Sequence, residues 1–78
     1  MQAYVMINVE PGYEGDVLRR LKALDPVEEA YVSYGVYDLV LRVKAKTLEE
    51  LKDVVMRKIR ATDQVRSTLT LIIQDGEP

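Results

Sequence analysis

Residues 31–43 read YVSYGVYDLVLRV, and this stretch decides the fold. Two runs of aromatic, β-branched and aliphatic residues flank Gly35, the only glycine between residues 16 and 75. Such runs around a glycine are typical of two strands joined by a tight turn. A two-residue turn at Gly35-Val36 makes every cross-strand pair chemically compatible, with an opposite-charge pair farthest from the turn. The predicted pairs are Tyr34–Tyr37, Ser33–Asp38, Val32–Leu39, Tyr31–Val40, Ala30–Leu41 and Glu29–Arg42.

The segments around this hairpin predict a βαββαβ order. Strands are expected at residues 3–9, 27–34, 37–44 and 68–74, and helices at 14–24 and 48–60. The second helix begins with a capping box, Thr47 and Glu50. Residues 75–78 are predicted to be a frayed tail. The order indicates an α+β fold, a ferredoxin-like sandwich in which both helices cover one face of a four-stranded antiparallel sheet.

Length and composition limit the classes of function. The chain has 78 residues, enough for a single domain over 1–78, and contains no Cys and no His. Disulfides, thiolate metal sites and a histidine base are therefore excluded, and no cofactor is implied. A net charge of −2 gives no electrostatic footprint for nucleic acid. No apolar run of membrane-spanning length and no signal pattern is present, so we expect a cytoplasmic protein.

Two further compositional features bear on stability. Charged residues make up 31% of the chain, and this fraction leans toward a thermophilic source. A domain of this size buries only about 60–65% of the surface that its unfolded chain exposes. Because neither a disulfide nor a metal site is expected to reinforce it, oligomerisation is the predicted source of additional stability.

Strand alternation divides the sheet residues into two sets. The predicted helix-covered face carries Val5, Ile7, Val9, Val32, Leu39, Leu41, Val43, Leu69, Leu71 and Ile73. The opposite face carries Tyr4, Met6, Asn8, Tyr31, Ser33, Val40, Arg42, Thr68, Thr70 and Ile72. On it, five side chains would form an apolar patch that favours a homodimer packed sheet against sheet. These predicted dimer-interface residues are Tyr4, Met6, Tyr31, Val40 and Ile72. A half-solvated sheet is the alternative, since antiparallel sheets tolerate it.

The chain resembles the effector-binding domain of the Lrp/AsnC, or feast/famine, regulators, called RAM. The resemblance covers residue 3 to about residue 74, and its most specific parts are the Gly-x-Tyr-Asp turn at Gly35 and the Val-x-x-Thr-x-Thr pattern that begins at Val65. It implies a dimeric α+β barrel of facing sheets, often assembled as a tetramer of dimers. It also implies that amino acid effectors bind between dimers. No helix-turn-helix precedes the first strand, so we expect a stand-alone form that does not contact DNA directly. It would modulate transcription either by sensing amino acids or by co-assembling with a full-length regulator.

Carried over residue by residue, the resemblance implies a ligand site at the turn and at the fourth strand of a neighbour. A free amino acid needs an anion for its ammonium group, which Asp38 can supply, and donors for its carboxylate, which the turn around Gly35 can supply. Ordinary structural roles as turn, strand and end-of-core residues remain open for all of them. The implied ligand-binding residues are Ser33, Tyr34, Gly35, Val36, Tyr37, Asp38, Leu39, Ser67, Thr68 and Thr70.

Two other functions remain open alongside a non-catalytic effector-binding and oligomerisation module. Dimeric α+β-barrel enzymes share this topology, and a cofactor-free proton transfer by Asp38 is conceivable. A structural oligomeriser without any ligand is the other alternative. The basic residues of both helices alternate with acids, which favours a solvated surface over a nucleic-acid interface.

Overall fold

The computed structural model of the protein describes residues 1–74, so the predicted tail at 75–78 lies outside the described residues. The βαββαβ order is confirmed, with each boundary within a few residues of the prediction. The second helix continues as a π-helical segment before the last strand. The elements are β1 (Gln2–Val9), α1 (Glu14–Lys22), β2 (Val27–Val32), β3 (Leu39–Lys44), α2 (Leu48–Asp53) with its π-helical continuation (Val54–Ile59), and β4 (Val65–Ile73).

The four strands form one antiparallel sheet in the order β2-β3-β1-β4, which is the predicted ferredoxin-like sandwich. The β2–β3 register agrees with the sequence-based pairing from Glu29–Arg42 to Val32–Leu39. Beyond Glu29 a β-bulge sets two residues of β2 opposite one of β3, so Val27 pairs with Val43. The bulge keeps Val27 and Ala30 on the same, buried side of the sheet.

The core lies between the sheet and the two helices. The central strands contribute residues that are completely buried, and α1 contributes Val17 and Leu21. A straight α-helix would turn Val54 and Val55 about 100° apart, yet both valines are buried at the core. The wider π-helical turn accompanies this arrangement, with the Arg60 N–H donating to the Val55 carbonyl five residues earlier at 2.9 Å. The fully buried sheet residues are Ala3, Val5, Ile7, Leu39, Leu41 and Val43.

The second helix differs from its prediction at one further point. The helical spacing of Leu48, Leu51, Val55 and Ile59 predicts one buried stripe, yet Leu48 is 38% exposed. Its predicted cap is present, because the Glu50 N–H donates to the Thr47 hydroxyl at 3.1 Å. The Glu50 carboxylate accepts from the Lys46 N–H at 3.0 Å, so it satisfies a donor one residue ahead of the cap.

The faces of β4 are the reverse of the prediction. Thr68 and Thr70 pair with Ile7 and Val5, whose side chains are buried beneath the helices. Cross-strand partners share a face, so Ile72, opposite Ala3, also lies on the helix side. The hydrophobic pattern could not decide this, because both alternating sets of β4 contain large apolar residues. The residues that β4 places on the uncovered side are Ser67, Leu69, Leu71 and Ile73.

The uncovered side, which we call the open face, is therefore more apolar than predicted. Ile72 leaves the set of predicted interface residues and three β4 side chains replace it. Tyr31 and Leu71 are the most exposed members, at 57% and 51%. The large apolar side chains of the open face are Tyr4, Met6, Tyr31, Val40, Leu69, Leu71 and Ile73.

Candidate functional site

A hollow of about 470 Å³ lies where β1 ends, at one end of the open face. Its walls come from the end of β1, the segment leading into α1, the β2–β3 connection and the start of β4. The side chains include two carboxylates, one guanidinium, one amide and one hydroxyl, so both signs of charge meet in one small space. The lining residues are Asn8, Val9, Pro11, Glu14, Asp38, Arg66 and Ser67.

Asp38 is held in the hollow by its own backbone. Its N–H donates to the Ile7 carbonyl at 2.9 Å, and its carbonyl accepts from the Ser33 N–H at 2.8 Å. Carboxylate oxygen Oδ2 accepts from the Val9 N–H at 2.9 Å and so satisfies the end of β1. Within residues 1–74 no hydrogen bond reaches the other oxygen, Oδ1. One acceptor of a fixed carboxylate therefore remains for a ligand.

The opposite wall carries hydrogen-bond donors. Within residues 1–74 Arg66 has only a loose ion pair, in which Nε lies 3.6 Å from Glu10 Oε1, and its side chain is 61% exposed. Ser67 is held by Asn8, whose Nδ2 donates to the serine Oγ at 3.3 Å. That hydroxyl keeps its own proton for donation. The wall can therefore donate to an anion while Asp38 accepts from a cation.

The tip of the β2–β3 connection does not line the hollow. β2 ends at Val32 and β3 starts at Leu39, so the predicted two-residue turn is wrong and the connection is wider. The Ser33 hydroxyl donates to the Tyr37 carbonyl at 2.7 Å and closes this wider loop. Gly35 has a φ of +133°, which suits glycine, and apart from its two chain neighbours no atom of residues 1–74 lies within 4 Å of the position of an added Cβ.

The predicted ligand residues are thus separated into groups. Asp38 and Ser67 of the same chain line the hollow, whereas the resemblance implies that the fourth strand comes from a neighbour. Tyr34 and Val36 project from the tip with exposures of 100% and 82%, and little of the part of the chain that the structure describes covers them. Leu39 is fully buried in the core and cannot touch a ligand there. Thr68 and Thr70 lie on the helix side of β4, whereas Ser67 of the same strand lies on the opposite side of the sheet.

Five lining residues were missing from the sequence-based set, and three of them have polar side chains, namely Asn8, Glu14 and Arg66. Asn8 had a readable signal, since it is the one polar residue in the otherwise apolar run from Tyr4 to Val9. Glu14 and Arg66 belong to charge patterns that are typical of solvated surfaces, and only their proximity in space distinguishes them. Among residues 1–74 no group of three or more acidic side chains is arranged to hold a metal ion.

A second polar cluster lies farther along the open face, on β1, β2 and β3. Arg42 Nε and Nη2 both lie 2.6 Å from Glu29 Oε1, and Arg42 Nη1 donates to Gln2 Oε1 at 2.9 Å. The Tyr31 hydroxyl donates to the second oxygen of Glu29. We call these residues, Gln2, Glu29, Tyr31 and Arg42, the Arg42 network. Each of its charged groups has a partner within the chain.

The Arg42 network shifts the protonation of its members. The Tyr31 hydrogen bond, followed by the Arg42 guanidinium, lowers the pKa of Glu29. The same hydrogen bond raises the pKa of Tyr31, because losing the phenolic proton would set two anions side by side. The Glu29 hydrogen bond also raises the pKa of Arg42. The carboxylate, the phenol and the guanidinium are thereby held in their ordinary neutral-pH forms.

None of the helices within residues 1–74 is both long and apolar enough to cross a membrane.

Comparison with known proteins identifies related regulatory proteins. Regulatory protein AsnC of Escherichia coli K12 is 38% identical over 56 residues, which are 72% of this chain and 37% of AsnC. AsnC of Haemophilus influenzae is 41% identical over 56 residues, which are 72% of this chain and 37% of that protein. The chain thus spans a little over a third of the length of these relatives. A homocitrate synthase of Saccharolobus islandicus is 41% identical over 61 residues, 78% of this chain but 13% of the enzyme.

Solved structures share the fold over nearly the whole chain. FFRP-DM1 superposes with a TM-score of 0.91 at 36% identity, covering 94% of this chain and 97% of its own. A feast or famine regulatory protein from M. tuberculosis, complexed with L-methionine, superposes with a TM-score of 0.80 at 33% identity, covering 96% of this chain and 50% of its own.

Residues 2–75 match the family described as the Lrp/AsnC ligand binding domain. This match spans almost all of the chain, and the order, pairing and helix placement of the structure agree with it. The chain belongs to the Lrp/AsnC ligand-binding domain family.

Proposed function

We propose that this chain is a non-catalytic module that binds a free amino acid in the Asp38 hollow and assembles through its open face. The observation that carries the proposal is the meeting of a partly unsatisfied carboxylate, Asp38, with the donors Arg66 and Ser67 in one hollow. A free amino acid carries an ammonium and a carboxylate separated by a single carbon. Its two charges therefore match the two walls of the hollow.

The ligand would be held at both ends. Its ammonium group would donate to Asp38 Oδ1, with Glu14 as a second negative neighbour. Its carboxylate would accept from the Arg66 guanidinium and the Ser67 hydroxyl. Charge-assisted hydrogen bonds of this kind are roughly twice as strong as neutral ones. The methionine held by the M. tuberculosis relative is consistent with this class of ligand.

A second copy would cover the open face. Burying a large apolar side chain contributes about 1.5–3 kcal/mol, and seven such side chains lie on this face. In the Arg42 network the opposite charges of Glu29 and Arg42 cancel. Two copies of the open face therefore do not repel each other. A twofold contact needs such a self-complementary surface. The assembly is a homodimer packed sheet against sheet.

Higher assembly would use the tip at Tyr34 and Val36. These side chains project where a neighbouring dimer can bury them, and their contact would complete the hollow from outside. Four dimers arranged in this way form the tetramer of dimers. Each tip would then couple effector binding to the contact between dimers.

The proposed module acts on transcription through assembly rather than through its own contact with DNA. A full-length relative carrying the same domain could share the open-face contact, and AsnC is more than twice the length of the segment matched here. This chain has a net charge of −2, and its helical basic residues are interspersed with acids. Mixed assembly with such a regulator is therefore the partner relationship that we propose.

Thermal-shift and calorimetric titration against the twenty free amino acids test the ligand. A ligand present at about 100 times its dissociation constant adds about 2.7 kcal/mol of apparent stability. Asp38→Asn keeps the acceptor for the Val9 N–H and removes the charge, so we expect affinity to fall by about tenfold or more. Asp25→Asn, which neutralises an exposed carboxylate outside the hollow, is the matched control and should bind like the wild type.

Absence of any shift at millimolar amino acid, with the assembly intact, would leave a structural oligomeriser and overturn the ligand assignment. Equal binding by Asp38→Asn and the wild type would place the ligand outside the hollow. A folded monomer at micromolar concentration in sedimentation equilibrium would overturn the assembly assignment.

A further inference from the structure

The Arg42 network occupies a surface that otherwise favours burial. Arg42 lies on the central strand β3, between Glu29 of β2 and Tyr4 of β1 in one row across the sheet. The next row consists of Tyr31, Val40, Met6 and Leu69, which are mainly apolar. A cationic side chain beside such a row would oppose docking of an apolar surface, because a buried charge without a partner is costly.

The chain supplies the partner itself. Two guanidinium nitrogens lie 2.6 Å from one Glu29 oxygen, and the Arg42 side chain is only 28% exposed even with the face uncovered. The Tyr31 hydroxyl donates to the second carboxylate oxygen of Glu29, and the third guanidinium nitrogen of Arg42 donates to the Gln2 side-chain oxygen. Much of the hydration that Arg42 and Glu29 would lose on docking has therefore already been replaced by contacts within the chain.

The bulge in β2 determines which acid fulfils this role. It sets two consecutive glutamates, Glu28 and Glu29, against the single residue Arg42. Glu29 makes the contacts, whereas Glu28 is exposed and has no hydrogen bond within residues 1–74. Glu28 lies close enough to influence Arg42 electrostatically. The chain thus provides two neighbouring acids that differ mainly in their contact with the guanidinium.

We propose that the Arg42 network is the polar element that permits and aligns docking of a second copy on the open face. The inference rests on the homodimer proposed above and specifies which residues position it. Apolar rows alone allow one sheet to slide over another, whereas a fixed polar cluster at one end restricts the alignments that leave no charge unpaired. Glu29 is a positioning residue that acts by holding the Arg42 guanidinium in place, and the Tyr31 hydroxyl in turn holds the Glu29 carboxylate.

Sedimentation equilibrium on the purified chain tests the assignment. Glu29→Gln leaves Arg42 without its anion, so the dimer dissociation constant should rise by about tenfold or more. Glu28→Gln is the matched control and should change it by less than about twofold. Adding Arg42→Met to Glu29→Gln removes the unpaired charge and should bring the constant back to within about threefold of the wild type.

Tyr31→Phe provides a second, milder variant that retains every charge. It should raise the dissociation constant by about two- to fivefold, since one hydrogen bond to a charged group is lost. Circular dichroism checks that each variant is folded. If Glu29→Gln is unfolded, the dissociation constant of Tyr31→Phe decides the test. A raised dissociation constant for a Glu29→Gln variant whose circular dichroism spectrum matches that of the wild type separates docking from a merely structural role, because a damaged fold would change the spectrum.

A dimeric wild type with Glu29→Gln no weaker than Glu28→Gln would overturn this inference and leave the homodimer standing. A double variant as weak as Glu29→Gln alone would also overturn it. A monomeric wild type would overturn the homodimer and this inference together.

Discussion

The Arg42 network and the Asp38 hollow lie toward opposite ends of the open face and use their charges differently. In the network, Glu29 has both carboxylate oxygens engaged and Arg42 has three nitrogens engaged. In the hollow, one oxygen of Asp38 has no hydrogen bond within residues 1–74, and Arg66 has a single loose ion pair. Polar groups satisfied within the chain permit burial, whereas fixed but incompletely satisfied groups permit ligand binding. The first arrangement suits assembly and the second suits a ligand.

The largest expected effect comes from placing a charge in the apolar surface of the open face. Leu71→Glu puts a charge on the open face of each subunit, and we expect the dimer to weaken by about a hundredfold or more. Ile72→Glu is the matched control, since it changes the adjacent residue of similar exposure on the helix side. It should remain dimeric in sedimentation equilibrium. Equal weakening by both variants would contradict the assignment of faces in β4.

Smaller effects are expected from single substitutions that separate the function of the Asp38 hollow from that of the Arg42 network. Arg66→Gln removes the cation of the hollow, so affinity for the amino acid should fall by about tenfold, while the dimer constant stays within about twofold. Glu29→Gln should weaken the dimer and leave the affinity for the amino acid within about twofold of the wild type. Calorimetry measures that affinity at protein concentrations where the variant is dimeric. If Arg66→Gln weakened the dimer as strongly as Glu29→Gln, the division into an assembly end and a ligand end would be wrong.

The network end should also respond to acid in a predictable direction. The pKa of Glu29 is lowered from its ordinary value of 4.5, so the folded state favours the charged form. The resulting stability is fully present above that ordinary value and is lost as the pH falls through the lowered pKa. Urea unfolding of wild type and Glu29→Gln should therefore differ at about pH 7 and converge at about pH 2–3.

Tyr31→Phe sharpens this acid test. The Tyr31 hydroxyl is the largest cause of the lowered pKa, so its removal should move the loss of stability toward ordinary glutamate pH values. A constant difference between wild type and Glu29→Gln down to the lowest pH would show that Glu29 contributes through packing rather than charge.

The smallest expected effect concerns the hydroxyl in the hollow. Ser67→Ala removes the acceptor of the 3.3 Å bond from Asn8 and one donor to the ligand. Because this bond is exposed and long, we expect the free energy of unfolding to fall by about 0.5 kcal/mol or less. Amino acid affinity should fall by about two- to fivefold. Calorimetry measures it, with Thr62→Ala as the comparison, because the Thr62 hydroxyl donates to the Lys58 carbonyl outside the hollow.

Local chemistry was sufficient to predict the β2–β3 pairing. Glu29 and Arg42 attract each other, Tyr31 and Val40 pack together, and a shift of one residue would set Val32 against Asp38. The tip was predicted less well, since the pattern around Gly35 favours a tight turn and the chain instead forms a wider loop. The hydrogen bond from Ser33 to the Tyr37 carbonyl, a contact within the loop itself, accompanies that wider path.

The last strand and the hollow were beyond local reasoning. β4 alternates Thr68, Thr70 and Ile72 with Leu69 and Leu71, and either set can be placed beneath a helix. The face on which each of these side chains lies is set by pairing with β1, in the continuous register from Gln2–Ile73 to Asn8–Ser67. The hollow depends on the same pairing, because it joins residues nearly sixty positions apart in the chain.

The sequence by itself determined the element order, the central hairpin register, the absence of disulfide and histidine chemistry, and the identity of Asp38 as a candidate anion. These properties depend on composition or on neighbours along one hairpin. Only the tertiary structure decided which side chains of β4 lie on the open face, that Thr68 and Thr70 lie on the other side of the sheet from Ser67, and that Arg66 and Asp38 line the same hollow. The physical reason is that strand pairing transmits orientation across the sheet, so the face of β4 depends on its contact with β1 and not on its own pattern.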